Sequence, residues 1–324
     1  MSDESASRGP QGSQQSSATI LVSVLIGALV GWAGSAGGAQ VGGWPVFAVC
    51  AALAFVINWA AFVPAYLLRS ERFYDLTGTI TYLSVVAVAL VAGSGSALSI
   101  LLAVLIAVWG LRLGTFLVLR IRKDGSDGRF DEIKVDPARF LMSWTLQALW
   151  VVLTAGAALA ALTSARPAAP GPLTVLGLVI WLVGFGMEAG AGARRRAFRA
   201  DPAHRGRFIT SGLWAWSRHP NYFGEITLWV GIAVIALPAL SGWQHVTLVS
   251  PLFVALLLTR VSGVPLLEAR GKQRWGDDPD YRDYLARTPV LVPRPTRAGC
   301  SIVAARGCGV GPPASPRSSP RPGS

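Results

Sequence analysis

Charge is scarce in this sequence: only 14% of its 324 residues are Asp, Glu, Lys or Arg, against about 25% in a soluble domain. So low a fraction excludes an ordinary soluble enzyme, and the apolar excess excludes a wholly disordered chain. Cysteine and histidine number 3 each, too few for a disulfide scaffold. Cys50 lies in an apolar run, while Cys300 and Cys308 fall in a Gly/Pro/Arg-rich tail at a spacing unlike a zinc site, so no metal centre is expected. Walker A, HExxH and GxSxG sequences are missing. The run Gly184-Phe185-Gly186-Met187-Glu188-Ala189 has a fingerprint-like spacing, but it follows no strand and opens no βαβ unit, so no Rossmann site is expected. The first 18 residues lack the basic stretch of a signal peptide, and no convincing cleavage site follows them. They are Ser/Gln-rich and read as a disordered leader over 1–18.

What the chain has in quantity is apolar surface. Hydrophobic residues reach 52%, with 36 Gly and 12 Trp, and the mean hydropathy is +0.47. A bilayer span needs about 20 largely apolar residues. Candidates are Thr19–Ala36, Trp44–Leu68, Thr77–Ala92, Ala97–Leu119, Phe140–Thr163, Pro172–Ala191, Tyr222–Leu237 and Val246–Gly263, of which the third and seventh are short. Gly93-Ser94-Gly95-Ser96 breaks the third from the fourth, and Pro167, Pro170, Gly171 and Pro172 break the fifth from the sixth.

Alternate loops, at about 37–43, 93–96, 164–171 and 238–245, hold a single basic residue, Arg166. The intervening loops carry most of the chain's 29 Lys and Arg. Basic loops face the cytoplasm. The expected fold is therefore an all-α polytopic membrane helix bundle of seven or eight spans, about eight, with both termini cytoplasmic. The membrane domain covers 19–293 and a Pro/Arg/Ser-rich disordered tail covers 294–324. The net charge of +12 then reports topology and attraction to anionic lipid, with the bilayer as partner and no nucleic acid. Gly27-xxx-Gly31 and Gly186-xxx-Gly190 read as helix-packing sites, where small residues let helices approach.

Polar residues gather in the second half. Glu188 lies near the end of the sixth span. Arg194, Arg195, Arg196, Arg199, Arg205 and Arg207 follow, and then Ser217-Arg218-His219-Pro220-Asn221-Tyr222-Phe223-Gly224-Glu225 leads into the seventh span. Pro220 suits a first helical turn, which puts Asn221 and Glu225 on one face, four apart. An acid one turn inside the membrane costs about 2–3 kcal/mol unless it is paired or faces a wet cavity. Glu225 either pairs with Arg218 or Arg260 to lock the helices, or presents a carboxylate beside the Asn221 amide to a polar ligand. The arginines supply bidentate donors for phosphate. His219 suits positioning as well as proton transfer. Arg112 interrupts the fourth span, as a snorkelling side chain or, better, as the lining of a ligand cavity. Tyr74 and Tyr82 lie two turns apart, on one face of the third helix. After the eighth span come Arg260, Glu268, Tyr281 and Tyr284, in a segment that closes over a cytosolic ligand or anchors at the interface.

The run RFITSGLWAWSRHPNYFGEITLW, with LLEARGKQRWGDDPDYRDYLARTPVLVP downstream, resembles the steroid 5-alpha-reductase superfamily, and its bacterial, largely uncharacterised branch most. RFYDLTG (Arg72–Gly78) and RFDEIK (Arg129–Lys134) extend the resemblance, which covers about Arg69 to Pro293. It implies a helical fold in the bacterial plasma membrane, and NADPH-dependent reduction of a carbon–carbon double bond conjugated to a carbonyl. It also implies nicotinamide contacts from Asn221 and Glu225, a cofactor role for Arg112, and closure by the segment bearing Tyr284. Arg207, Arg218, His219, Tyr222, Arg260, Glu268 and Tyr281 complete the expected cofactor-binding set, and Tyr74, Tyr82 and Glu225 are the candidate catalytic residues. Gly192 and Arg194 stand where similar members carry Asp and Gln, which leaves an inactive or altered-cofactor homologue open.

Two other readings stand beside this one. The block Arg218-His219-Pro220-Asn221-Tyr222 is shared with isoprenylcysteine carboxyl methyltransferases, which use S-adenosylmethionine, although Asn221 followed by Gly224-Glu225 favours the reductase. A non-catalytic bundle is the third. No residue identifies the lipophilic substrate, which could be steroid-like or isoprenoid-like, and nothing in the sequence sets an oligomeric state.

Overall fold

The computed structural model describes residues 9–124, 130–166 and 168–295. Among these the fold is all-α, and eight helical segments are long and apolar enough to cross a membrane. Helix α1 (Gly9–Gly34) leads into a small hairpin of β1 (Gln40–Val41) and β2 (Trp44–Pro45). The hairpin turns at Gly42-Gly43, where φ is +58° and +82°, a conformation open to glycine at both positions. Helices α2 (Val46–Leu67), α3 (Tyr74–Ala92), α4 (Ala97–Asp124) and α5 (Pro137–Leu162) follow. At the end of α2, Ser70 N–H donates to Ala65 O and Arg69 N–H to Tyr66 O, a Schellman cap that holds Arg69 at φ +46°. Helix α5 starts at Pro137, with the Asp136 carboxylate accepting from the backbone N–H of Ala138 and Arg139.

Next come α6 (Pro172–Ala200), the short α7 (Leu213–Trp216), α8 (Pro220–Ala236), α9 (Ser250–Leu256), α10 (Val264–Trp275) and α11 (Pro279–Arg287). Helix α5 is the central element: every residue from Val151 to Leu162 is buried, among α1, α2, α3 and α8. Its last eight residues, Ala155–Leu162, are mostly Ala, with Gly156, so neighbours approach closely. The large apolar side chains left uncovered, such as Leu21, Leu25 and Leu29 of α1 and Val175, Val179 and Leu182 of α6, lie on the outer surface, as a hydrocarbon environment requires.

Helices α6 and α8 run in backbone contact. A Cβ on Gly224 would sit 2.5 Å from the Glu188 nitrogen, and one on Gly184 would sit 2.7 Å from the Gly224 oxygen. Two turns along, a Cβ on Gly231 would sit 2.6 Å from both Gly177 O and Trp181 N. The pairs Gly184–Gly224 and Gly177–Gly231 thus repeat every seven residues on each helix. The Gly186/Gly190 pair expected from sequence is not the contact, since Gly186 faces open space; Gly27 does pack, against the Phe55 ring.

Several boundaries differ from the sequence expectation: α3 and α5 each start three residues earlier, and α4 and α6 run on to Asp124 and Ala200. Helix α1 begins at Gly9, so the stretch expected as a leader is helical from that residue, and 1–8 lie outside the described residues, as does the tail from 296 onward. The seventh span begins at Pro220, two residues earlier than expected. The eighth is not one helix: 3₁₀ structure over Gly242–Val249, α9 and a π turn over Leu257–Val261 precede α10. The interruption has local causes, because Pro251 and Pro265 cannot donate and the Ser250 hydroxyl donates instead to Thr154 O on α5.

Gly184→Leu and Gly224→Leu should each destabilise the bundle by about 2 kcal/mol, whereas Gly186→Leu should be near neutral. Thermal unfolding in detergent checks this, and equal midpoints for Gly184→Leu and Gly186→Leu would contradict the contact.

Candidate functional site

The polar residues of the bundle form two layers. The inner layer lies between α4, α6 and α8. Arg112 on α4 forms an ion pair with Glu188 on α6, the carboxylate side chain being 8% exposed. The Arg112 guanidinium also lies 5.5 Å from the Phe185 ring centre, and Glu225 on α8 is within electrostatic range of it. Glycine at 224 makes this arrangement possible, because it lets the Glu188 backbone touch α8 one residue before Glu225. Asn221 stands one turn nearer the start of α8 on the Glu225 face.

Several buried polar atoms in this layer have no partner among the described residues: Arg112 Nε, Glu188 Oε2 and Asn221 Oδ1. Each costs about 1–3 kcal/mol if left so. One turn farther along α8 an aromatic cluster continues the layer. Trp109 and Trp229 meet edge to face at 4.9 Å, and Tyr82 lies 5.1 Å from Trp109.

The outer layer is built by the loop before α8 and by α10 and α11. Arg218 Nη1 lies 2.7 Å from Glu268 Oε1, and His219 Nε2 lies 3.5 Å from the same oxygen. The His219 ring stacks on Tyr222 at 5.6 Å. Tyr284 donates to Trp214 O at 2.8 Å, Trp214 Nε1–H donates to Ala191 O, and Arg195 covers the Trp214 ring at 5.4 Å. Tyr281 packs edge to face on Phe208. These groups surround a cavity of about 110 Å³, lined also by Arg199 and Arg207. The segment after α11 holds the layer in place: Arg218 N–H donates to Pro289 O at 2.9 Å, and the Ser217 hydroxyl to Leu291 O at 2.8 Å.

Burial lowers the His219 pKa to about 4, with Glu268 opposing the shift. The imidazole is therefore neutral at neutral pH. Burial raises the Tyr281 and Tyr284 hydroxyls above the ordinary tyrosine value, so both remain protonated.

Of the residues singled out from sequence, the fold gathers Arg112, Asn221, Glu225 and Tyr82 at the inner layer. Arg207, Arg218, His219, Tyr222, Glu268, Tyr281 and Tyr284 gather at the outer one. Two stand apart. Arg260 is exposed on the π turn. Tyr74 donates to Ser143 O and packs against Phe130 and Trp144, so it does not share neighbours with Tyr82. Glu225 is not ion-paired with Arg218 or Arg260 among the described residues: Arg218 meets Glu268, and Arg112, whose direct partner is Glu188, is the cation whose field reaches Glu225. Residues of the two layers outside the set expected from sequence are Glu188 as a site group, Trp109, Trp229 and Trp214, while Arg195 is expected only as one of the phosphate-donating arginines. An acid in an apolar run was a signal for the first; the others become visible only when α4, α6 and α8 are packed.

The lowered His219 pKa has a consequence for stability. Between pH 6.5 and 4 the unfolded chain takes up a proton at this position that the folded chain refuses, so stability falls as pH drops through that window. Wild-type protein in detergent should lose thermal midpoint from pH 6.5 to 4, and His219→Asn should flatten that slope. An unchanged slope would show that other groups dominate.

A family model described as a protein of unknown function, DUF1295, matches residues 61–288. No curated protein and no solved structure matches the chain. The matched region contains every residue of both polar layers. The chain belongs to the DUF1295 family, whose function is unknown.

Proposed function

We propose that the chain is a membrane-embedded, NADPH-dependent reductase of a carbon–carbon double bond in a lipophilic, steroid- or isoprenoid-like enone, of the steroid 5-alpha-reductase type. The observation that carries this reading is the set of orphaned atoms in the inner layer. Glu188 Oε2 and Asn221 Oδ1 are acceptors, and Arg112 Nε is a donor. A primary carboxamide offers two N–H donors and one carbonyl acceptor, which is the complement of that set, and the nicotinamide ring carries such a group. The outer layer supplies what phosphates need, with Arg195, Arg199, Arg207 and Arg218 around one cavity.

Residues Arg112, Glu188, Asn221 and Glu225 would hold the nicotinamide end, and the arginines with Tyr281 and Tyr284 the phosphate end. The chemistry supplied there when NADPH is bound is a hydride, and one proton completes the saturation of the alkene. Glu225 and Tyr82 would be the protein groups nearest that event, and Glu225 would orient the nicotinamide by hydrogen bonding. The cavity of about 110 Å³ is smaller than the roughly 300–1,000 Å³ of small-molecule sites. Entry of a dinucleotide therefore takes an outward movement of α10 and α11, which are held by the Tyr284–Trp214 bond and by Trp275 Nε1–H donating to Gly206 O. The basic loops support a cytoplasmic position for this layer and for both termini.

Detergent-purified protein should show saturable quenching of tryptophan fluorescence by NADPH. Asn221→Ala and Glu225→Gln should each weaken binding by about tenfold or more. Saturable binding of S-adenosylmethionine without NADPH would move the chain to the membrane methyltransferases that share its Arg218–Tyr222 block. Binding of neither would reject the enzyme reading.

A further inference from the structure

Resting on the reductase reading, the geometry points to a seat for the substrate's carbonyl oxygen made by Tyr82, Trp109 and Trp229, in which the two indole N–H groups are the hydrogen-bond donors. Trp109 is 4% exposed and Trp229 1%, and neither Nε1 has an acceptor among the described residues. An orphaned buried N–H is costly, and native structures rarely retain one without a reason. Here two occur on adjoining rings, contributed by different helices, α4 and α8, with centres 4.9 Å apart. Trp144 and Trp181 also carry unpartnered indoles. Trp109 and Trp229 differ from them in adjoining one another and Tyr82, one helical turn from Arg112 and Glu225.

The chemical inventory selects the ligand. An indole N–H donates and cannot accept. The Tyr82 hydroxyl, which is hydrogen-bonded to the side chain of Thr154 on α5, adds a third donor from α3. A seat so rich in donors favours a group that only accepts. A ketone or ester oxygen has two lone pairs and satisfies two N–H groups at once. An alcohol of the same shape must also dispose of its own proton against groups that have few acceptors to offer. The substrate class that follows is a lipophile bearing a carbonyl. Its oxygen lies at the Trp109–Trp229 junction, and the bond to be reduced points toward the Glu225 end. Donors fixed by three different helices also polarise that carbonyl without reorganising, the arrangement that best meets developing negative charge.

The test uses the full chain in detergent, without nucleotide, and two probes: a long-chain cyclic enone labelled with carbon-13 at its carbonyl, and the corresponding alkene lacking that oxygen. Equilibrium dialysis measures binding, and infrared difference spectra follow the labelled carbonyl stretch. Wild-type protein should bind the enone and shift its carbonyl stretch to lower frequency. Trp109→Phe and Trp229→Phe keep a ring while removing the N–H. Each should weaken enone binding by about tenfold, lessen the shift, and leave binding of the alkene unchanged. No shift in wild type, or equal losses for enone and alkene in the variants, would overturn the assignment. If one variant fails to fold the other carries the comparison, and absence of a shift in wild type overturns the assignment by itself. Titration of NADPH in the same variants should be unaltered, and if wild type binds the enone but not NADPH, the reductase reading fails while the carbonyl seat stands.

Discussion

The contact between α6 and α8 sets where the polar residues of this protein meet. At Gly184 and Gly224 the two backbones touch, and the missing Cβ atoms bring the Glu188 main chain against α8. A larger residue at either place would part the helices, and Glu188 and Glu225 would no longer reach the same arginine. Arg112 arrives from α4, which lies against α3 and α5, so the ion pair with Glu188 joins two sides of the bundle. In a low-dielectric interior a charge is tolerated when paired. The fold supplies that pairing through backbone geometry in the α6–α8 seam, with the charged side chains at its edges.

The two polar layers are continuous along α8. His219 stacks on Tyr222 in the outer layer, and the next residues, Pro220 and Asn221, open the helix whose face carries Glu225 and Trp229. One strand of chain after α11 fixes the position of that helix start through Ser217 and Arg218. The outer layer is therefore a positioning device for the inner one as well as a basic surface. A ligand long enough to span both would touch arginines at one end and aromatic rings at the other. That polarity of environment suits a molecule with a charged tail and a flat, reactive head.

Much of this architecture is legible in the sequence, for a physical reason. Hydrocarbon thickness imposes a length on every apolar run, and loop charge repeats the count, so eight spans emerge with most boundaries within a few residues. Pro220 after His219 is a local helix-start signal and is read locally, whereas the start of α5 at Pro137 lies three residues before the apolar run that marks it. What stays hidden depends on packing. Tyr74 and Tyr82 share a helix but sit among different aromatic neighbours, because α5 and the Phe130 segment cover the first while α4 and α8 cover the second. Glu188 gains significance only when α4 brings Arg112 to it. The glycine seam is not legible in the sequence, because its repeat is seven residues and each half lies on a different helix. The eighth span looked continuous in hydropathy, which is blind to a change from 3₁₀ to α to π winding.

The π turn at Leu257–Val261 ends at a corner. Ser262 (φ −122°, ψ −20°) and Gly263 (φ −90°, ψ −91°) leave helical geometry before α10 begins at Val264, so helical phase is not carried across. A Cβ on Gly263 would overlap Leu258 O and sit 2.9 Å from the Tyr222 ring. The corner therefore has no room for a side chain, and the closing segment with Glu268 leaves the bundle from a point pressed against the start of α8. Its reach to Arg218 and His219 is set by that pivot, so a side chain at position 263 would uncouple the two layers without touching any charged group.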